Sequence, residues 1–140
     1  MIDIANRKAD ERNIKNISFT HSTLFDERLQ KESFDVVLAF SVLHLVEDSP
    51  RVLNKINSIL RPGGFLISAT PCMGEKTFYG LVVNVPVFLL SKIGFLPHVN
   101  FISIFRLRDM ITEEHFQVLE IESLSVRPVT EVFIVARKVL

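Results

Sequence analysis

Residues 34–71, FDVVLAFSVLHLVEDSPRVLNKINSILRPGGFLISATP, constrain the fold of this chain more than any other stretch. Phe34–Phe40 is a continuous apolar run with one acid near its start, the pattern of a parallel strand buried on both faces. After a short loop, Asp48 or Ser49 can cap a helix with Pro50 in its first turn, and Val52, Leu53, Ile56, Ile59 and Leu60 form one apolar stripe. RPGG then ends that helix, because Pro62 cannot continue it and Gly63 and Gly64 tolerate positive φ. Phe65–Pro71 is a second buried strand. A strand, a crossover helix and a second strand require an α/β protein built on a sheet.

The flanking segments extend this unit. Ile2, Ala5 and Ala9 fall on one face of an opening amphipathic helix that has no capping residue before it. Ile17, Phe19 and His21 alternate with Ser18 and Thr20, so residues 16–22 read as a short strand. Residues 105–116 read as a helix with Leu107, Met110 and Ile111 on one side. Residues 117–124 alternate Leu119 and Ile121 against Glu120 and Glu122, as an edge strand does, whereas EVFIVARK, residues 131–138, reads as an interior strand. The expectation is a mostly parallel sheet with a C-terminal antiparallel hairpin, in one domain spanning 1–140.

Composition excludes several classes of function. Sixteen basic residues balance sixteen acidic ones, so the electrostatic footprint of a nucleic-acid binder is absent. The lone Cys72 forms no internal disulfide, the chain does not open on a charged-then-apolar leader, and a reducing, cytoplasmic setting fits. Neither the histidines nor Cys72 have metal-ligand spacing. Phe78–Phe95 approaches the length of a membrane span but is interrupted by Asn84, Pro86 and Lys92. It suits an apolar cover or an interfacial helix pair touching a membrane surface.

Phe34-Asp35-Val36-Val37, Val42-Leu43-His44, Asp48 and Leu60-Arg61-Pro62-Gly63-Gly64 together resemble the class I S-adenosylmethionine-dependent methyltransferases, nearest the ubiquinone and menaquinone subgroup. The resemblance implies a Rossmann-like fold of which this chain carries a part, without the first two strands, the G-x-G loop or the acid that binds the cofactor ribose. The five glycines, at 63, 64, 74, 80 and 94, contain no G-x-G. On this alignment Met1 matches an internal methionine of a longer protein; a rival alignment takes Asp3 as the ribose acid and leaves only Ile4 to Lys15 for a turn, the helix and a loop, which is tight. The two absent strands would lie between residues 17–22 and 34–40 and leave a gap of about 14 Å. Phe34–Phe40 then either pairs with 17–22, recruits a second chain, or presents a bare edge.

The resemblance also implies a site. Met1, Thr23 and Leu24 would lie against the adenine of S-adenosylmethionine; Thr23 stands where the family often has an Asp. Phe40, Ser41 and Val42, at the carboxyl end of the buried strand, would face the methionine moiety and the methyl acceptor. His44 is the candidate proton acceptor, its side chain titrating near neutrality. His115 replaces a helix-ending Gly and reads as a polar cap. Met73–Ser103 is the segment the family varies to suit its substrate. Its Phe78, Tyr79, Phe88 and Leu89 suit a lid over a small apolar acceptor, or equally a second small core. Two other readings remain: a short non-catalytic interaction module associating through its exposed sheet edge, and a small membrane-associated protein.

Overall fold

The computed structural model describes residues 1–72, 85–86, 89–90, 100–126 and 129–139. The elements are α1 (Ile2–Glu11), β1 (Phe34–Phe40), α2 (Ser49–Ile59), β2 (Leu60–Cys72), α3 (Ile104–Glu113), β3 (Phe116–Val126) and β4 (Val129–Lys138). The four strands form one sheet in the order β1-β2-β4-β3.

β1 and β2 are parallel, pairing Val37 with Leu66 and Ala39 with Ser68, with α2 as the crossover. The Asp48 carboxylate accepts from the Arg51 N–H at 3.0 Å and caps α2. Ser49, the other candidate cap, instead donates its hydroxyl to the Leu43 carbonyl. Val52, Leu53, Ile56 and Ile59 are the buried stripe of α2. RPGG does more than stop the helix, because β2 begins at Leu60 and the register against β1 shifts between Phe34 and Val36. The helix ends on Leu60 in an extended conformation, and the positive φ falls instead at Gly63, +76°, inside β2 between the Phe34–Leu60 and Val36–Phe65 pairs. At Gly64 a Cβ would lie 2.9 Å from the Asp35 carbonyl, so the two strands meet there at a distance only glycine allows.

Two sheet expectations are corrected. The sheet is mixed rather than mostly parallel, since β2–β4 and β4–β3 are both antiparallel and β1–β2 is the one parallel pair among the described residues. Residues 16–22 form no strand, and Ile17 is exposed. A strand needs a ladder for its N–H and C=O groups, and none of the described residues pairs with this segment. Among the described residues nothing pairs with the outer edge of β1, so the first of the three anticipated outcomes, pairing with residues 17–22, is not found.

The core lies on one side of the sheet. Leu66, Ser68 and Thr70 of β2 and Val132, Ile134 and Ala136 of β4 alternate inward against α2 and α3, where Leu53, Leu107 and Ile111 have no exposure. β1 is not buried on both faces, as its apolar run led one to expect. Ala39 is buried and Val37 packs on the core, but Val36, Leu38 and Phe40 on the opposite face are 45%, 59% and 51% exposed. The described residues bring no helix against that face, and α1 buries none of its own residues. The C-terminal hairpin is as expected, with β4 interior and β3 at the edge. A register shift between Val118 and Glu120 breaks the alternation read from Leu119 and Ile121.

Candidate functional site

The connection from β1 to α2 is built at the carboxyl end of the parallel pair. Phe40 ends β1 exposed, its ring 6.4 Å from that of Phe133 on the open face. Ser41 turns the chain through φ +52°, a left-handed conformation that costs any side chain except Gly, and its N–H donates to the Ala69 carbonyl at 2.8 Å. Val42 stays exposed while Leu43 is sealed in the core.

His44 follows, 9% exposed, with Nδ1 lacking a hydrogen-bond partner. Burial pushes the imidazole below its ordinary histidine pKa, so it is neutral at pH 7 and keeps a lone pair able to take a proton. The hydroxyls of Ser68 and Thr70, on the covered face of β2, are likewise buried without partners. Buried polar atoms are normally paired, and these three have no partner among the described residues.

A second feature is an open depression of about 530 Å³ lined by Thr20, Ser22, Thr23, Leu24, Asp26, Arg28 and Leu29. Its shape is fixed by Asp26. That carboxylate accepts from Arg28 Nε and N–H at 2.9 Å each, from Arg28 Nη2 at 2.6 Å and from the Ser22 hydroxyl at 2.8 Å. The bonds to the Arg28 side chain, then to its backbone, then to Ser22 hold the Asp26 pKa well below the usual carboxylate range. The depression is tied to α2 by the Arg51 guanidinium, 4.6 Å from the Phe25 ring centroid, and by Lys55 Nζ donating to the Leu29 carbonyl.

The predicted residues thus fall into separate places. Thr23 and Leu24 share the depression, and Phe40, Ser41, Val42 and His44 share the β1–α2 connection. Met1 is fully exposed at the start of α1, with no side-chain capping bond. Phe78, Tyr79 and Phe88 lie outside the described residues, and Leu89 is described and exposed. Sequence reasoning did not single out the Ser22–Asp26–Arg28 lock, although STLFDER places all three within one short loop. It also passed over Asn100, whose N–H donates to the His44 carbonyl at 2.7 Å and whose side-chain amide donates to the Val46 carbonyl. His115 does end α3 in the left-handed conformation, at φ +62°.

S-adenosylmethionine, which the resemblance implies, can be tested against these residues. The depression has room and an apolar wall at Leu24 for an aromatic base, and the exposed end of β1 offers Phe40 and Val42. Its one lining carboxylate, Asp26, is already engaged by Arg28 and Ser22. Leu24 and the exposed end of β1 suit the base and the sulfonium end of the cofactor, and none of the residues lining the depression offers a free acid for the ribose.

A family model described as a methyltransferase domain matches residues 1–92. The human protein named arginine-hydroxylase NDUFAF5, mitochondrial, is 31% identical over 122 residues, covering 81% of this chain and 35% of that protein. The chain spans about a third of the length of such curated relatives. Among solved structures, the cyclase SpnF superposes with a TM-score of 0.78 at 15% identity, covering 99% of this chain and 62% of that one. A S-adenosylmethionine-dependent methyltransferase from Methanosarcina mazei superposes with a TM-score of 0.75 at 15% identity, covering 99% of this chain and 77% of that one. At such identity these two likenesses speak to the fold. Among the described residues no helix is long and apolar enough to cross a membrane, and no cluster of His, Cys, Asp and Glu could hold a metal ion.

Proposed function

The chain belongs to the methyltransferase-domain family, and we propose that it forms part of an enzyme that moves a methyl group from S-adenosylmethionine to a small apolar acceptor. The observation that carries this reading is the family match over residues 1–92, which includes both the depression at Thr23 and Leu24 and the β1–α2 connection. When bound, the cofactor supplies a methyl group already activated on a sulfonium. What remains for the protein is to orient the partners, exclude water and receive a proton.

In this reading Thr23 and Leu24 wall the adenine, and Met1 packs beside it. Phe40, Ser41 and Val42 face the methionine moiety, and the neutral His44 takes the proton that the acceptor loses. Phe78, Tyr79, Phe88 and Leu89 cover the acceptor. The setting is a reducing compartment with contact to a membrane surface, and copies of the chain associate through the open edge of β1. The 140 residues by themselves hold the cofactor weakly, because they contain no G-x-G loop for its carboxylate and the one acid lining the depression, Asp26, is already engaged. Two missing charge-assisted bonds of roughly 1.5–3 kcal/mol each lower affinity about a hundredfold or more. Calorimetry with S-adenosylhomocysteine on the 140-residue chain tests this: weak or undetectable binding is expected, and micromolar binding would overturn it.

One specific observation favours a second reading, the 31% identity to a human protein named as an arginine hydroxylase across 81% of this chain. On that reading the acceptor is an arginine side chain. Mass spectrometry separates the two, since the modified acceptor gains one methylene in the first case and one oxygen in the second.

A further inference from the structure

The connection between β1 and α2 must dispose of its own carbonyl groups, because no strand or helix ladder takes them. Four of them are accounted for, and by different donors. The Val42 carbonyl accepts from the Leu45 N–H at 2.9 Å, a local turn, and the Leu43 carbonyl accepts from the Ser49 hydroxyl at 3.0 Å. The other two are both served by Asn100, whose backbone N–H reaches the His44 carbonyl at 2.7 Å and whose side-chain amide reaches the Val46 carbonyl.

Asn100 is more than fifty residues away in sequence and is itself fixed. Its carbonyl accepts from the Ile102 N–H at 3.0 Å. Ile102 is buried in the same apolar cluster as Leu43 and Cys72. The core therefore holds Asn100, and Asn100 holds the loop from both sides of Leu45. Leu45, between the two clamped carbonyls, is exposed, while His44 is turned inward. Few side chains could replace it: Asp has no donor, Ser does not reach as far, and Leu matches its size without any hydrogen at its tip.

We propose that Asn100 is the positioning residue of this site, a two-bond clamp that sets the depth at which the His44 imidazole is held. The proposal rests on the reading that the β1–α2 connection is the reactive loop. The clamp itself can be tested without any reaction.

The experiment follows the His44 ring signals by NMR against pH in the 140-residue chain, together with amide exchange at Leu45. The variants are Asn100→Ala and Asn100→Leu. The comparison variant is Asn57→Ala, which removes amide-to-carbonyl bonds at the far end of α2 from the loop, from Asn57 Nδ2 to the Glu114 carbonyl at 3.1 Å and the His115 carbonyl at 3.4 Å. The wild-type His44 titrates below the ordinary histidine value of 6.5. With the side-chain bond gone, water reaches the ring, its titration moves up toward 6.5, and Leu45 exchanges about tenfold faster, the size of one lost hydrogen bond. Asn57→Ala lowers stability and leaves both readings in place. Unmoved His44 titration in both Asn100 variants, or an equal movement in Asn57→Ala, would overturn the proposal. So would an Asn100 N–H that exchanges at the free-peptide rate in the wild-type chain, a measurement that needs no variant to fold. An intact clamp in a protein that neither methylates nor hydroxylates would leave the clamp standing and remove the functional reading alone.

Discussion

Leu66 and Leu38 occupy neighbouring strands of one sheet, yet Leu66 has no exposure and Leu38 is 59% exposed. They differ in the face to which they point and in strand position, Leu66 on the interior strand β2 and Leu38 on β1 at the sheet's edge. Leu66, with Ile134 and Val132 beyond it, lies under α2 and α3; Leu38, with Val36, Phe40, Ile67, Phe133 and Val135 around it, has no helix over it among the described residues. The covered face carries the stability of this chain. On the open face Ile67, Phe133 and Val135 of the inner strands are half-buried, while Val36, Leu38 and Phe40 of β1 bury less, so the same residue type is worth less there.

The largest expected effect breaks the comparison if it fails. Leu66→Ala should cost about 2–5 kcal/mol in a denaturant titration, the transfer loss plus the cavity left under the helices. Leu38→Ala should cost less than about 1 kcal/mol. If the two cost alike, something covers the open face in solution, and measuring the Leu38→Ala effect against protein concentration would tell a second copy from cover within the chain.

What the sequence made legible divides along the same line. The α2 stripe through Ile59, the Asp48 cap and the hydrophobic side of α3 are all local signals, and each held because its partners are elements this chain contains. The run Phe34–Phe40 was read as buried on both sides because periodicity reports what a segment can bury, and cover depends on what else is present. Residues 16–22 have the alternation of a strand and no ladder to join. At the candidate site, the loop residues were found from their place in a motif. The Asn100 clamp was invisible because a lone Asn carries no pattern, and its partners are backbone carbonyls that any sequence supplies.

A second expectation concerns pH and the covered side, to which His44 is turned. The unfolded chain takes up a proton at His44 near 6.5, whereas the folded chain, with the imidazole buried, takes it up only at lower pH. Between those values the unfolded state holds more protons, so His44 contributes a loss of stability as pH falls below 6.5, ending at its folded pKa. Stability curves of the wild type and His44→Asn should converge or cross in that window and run parallel above it. Curves parallel throughout would mean that the imidazole is as wet as an open-face residue.

The smallest effect concerns strain at the ends of the two regions. Ser41, leaving β1, and His115, leaving α3, both sit in the left-handed region, at φ +52° and +62°. A side chain there costs roughly 1–2 kcal/mol, and Gly removes that cost while giving back about 0.4–1 kcal/mol through a looser unfolded chain. Ser41→Gly and His115→Gly should therefore each stabilise by about 0.5–1 kcal/mol. His115 is held by neighbours that stay in place: its carbonyl accepts from the Val139 N–H at 3.0 Å and from Asn57 Nδ2, and its own N–H reaches the Thr112 carbonyl. Ser41 is held by its N–H bond to Ala69, so the serine itself can relieve part of its strain by shifting from the sheet, and glycine has less to remove. Thermal melting should give the full gain for His115→Gly and a smaller one for Ser41→Gly. Equal gains would show that the loop leaving β1 is as firmly fixed as the end of α3, although β1 has no strand on its outer side among the described residues.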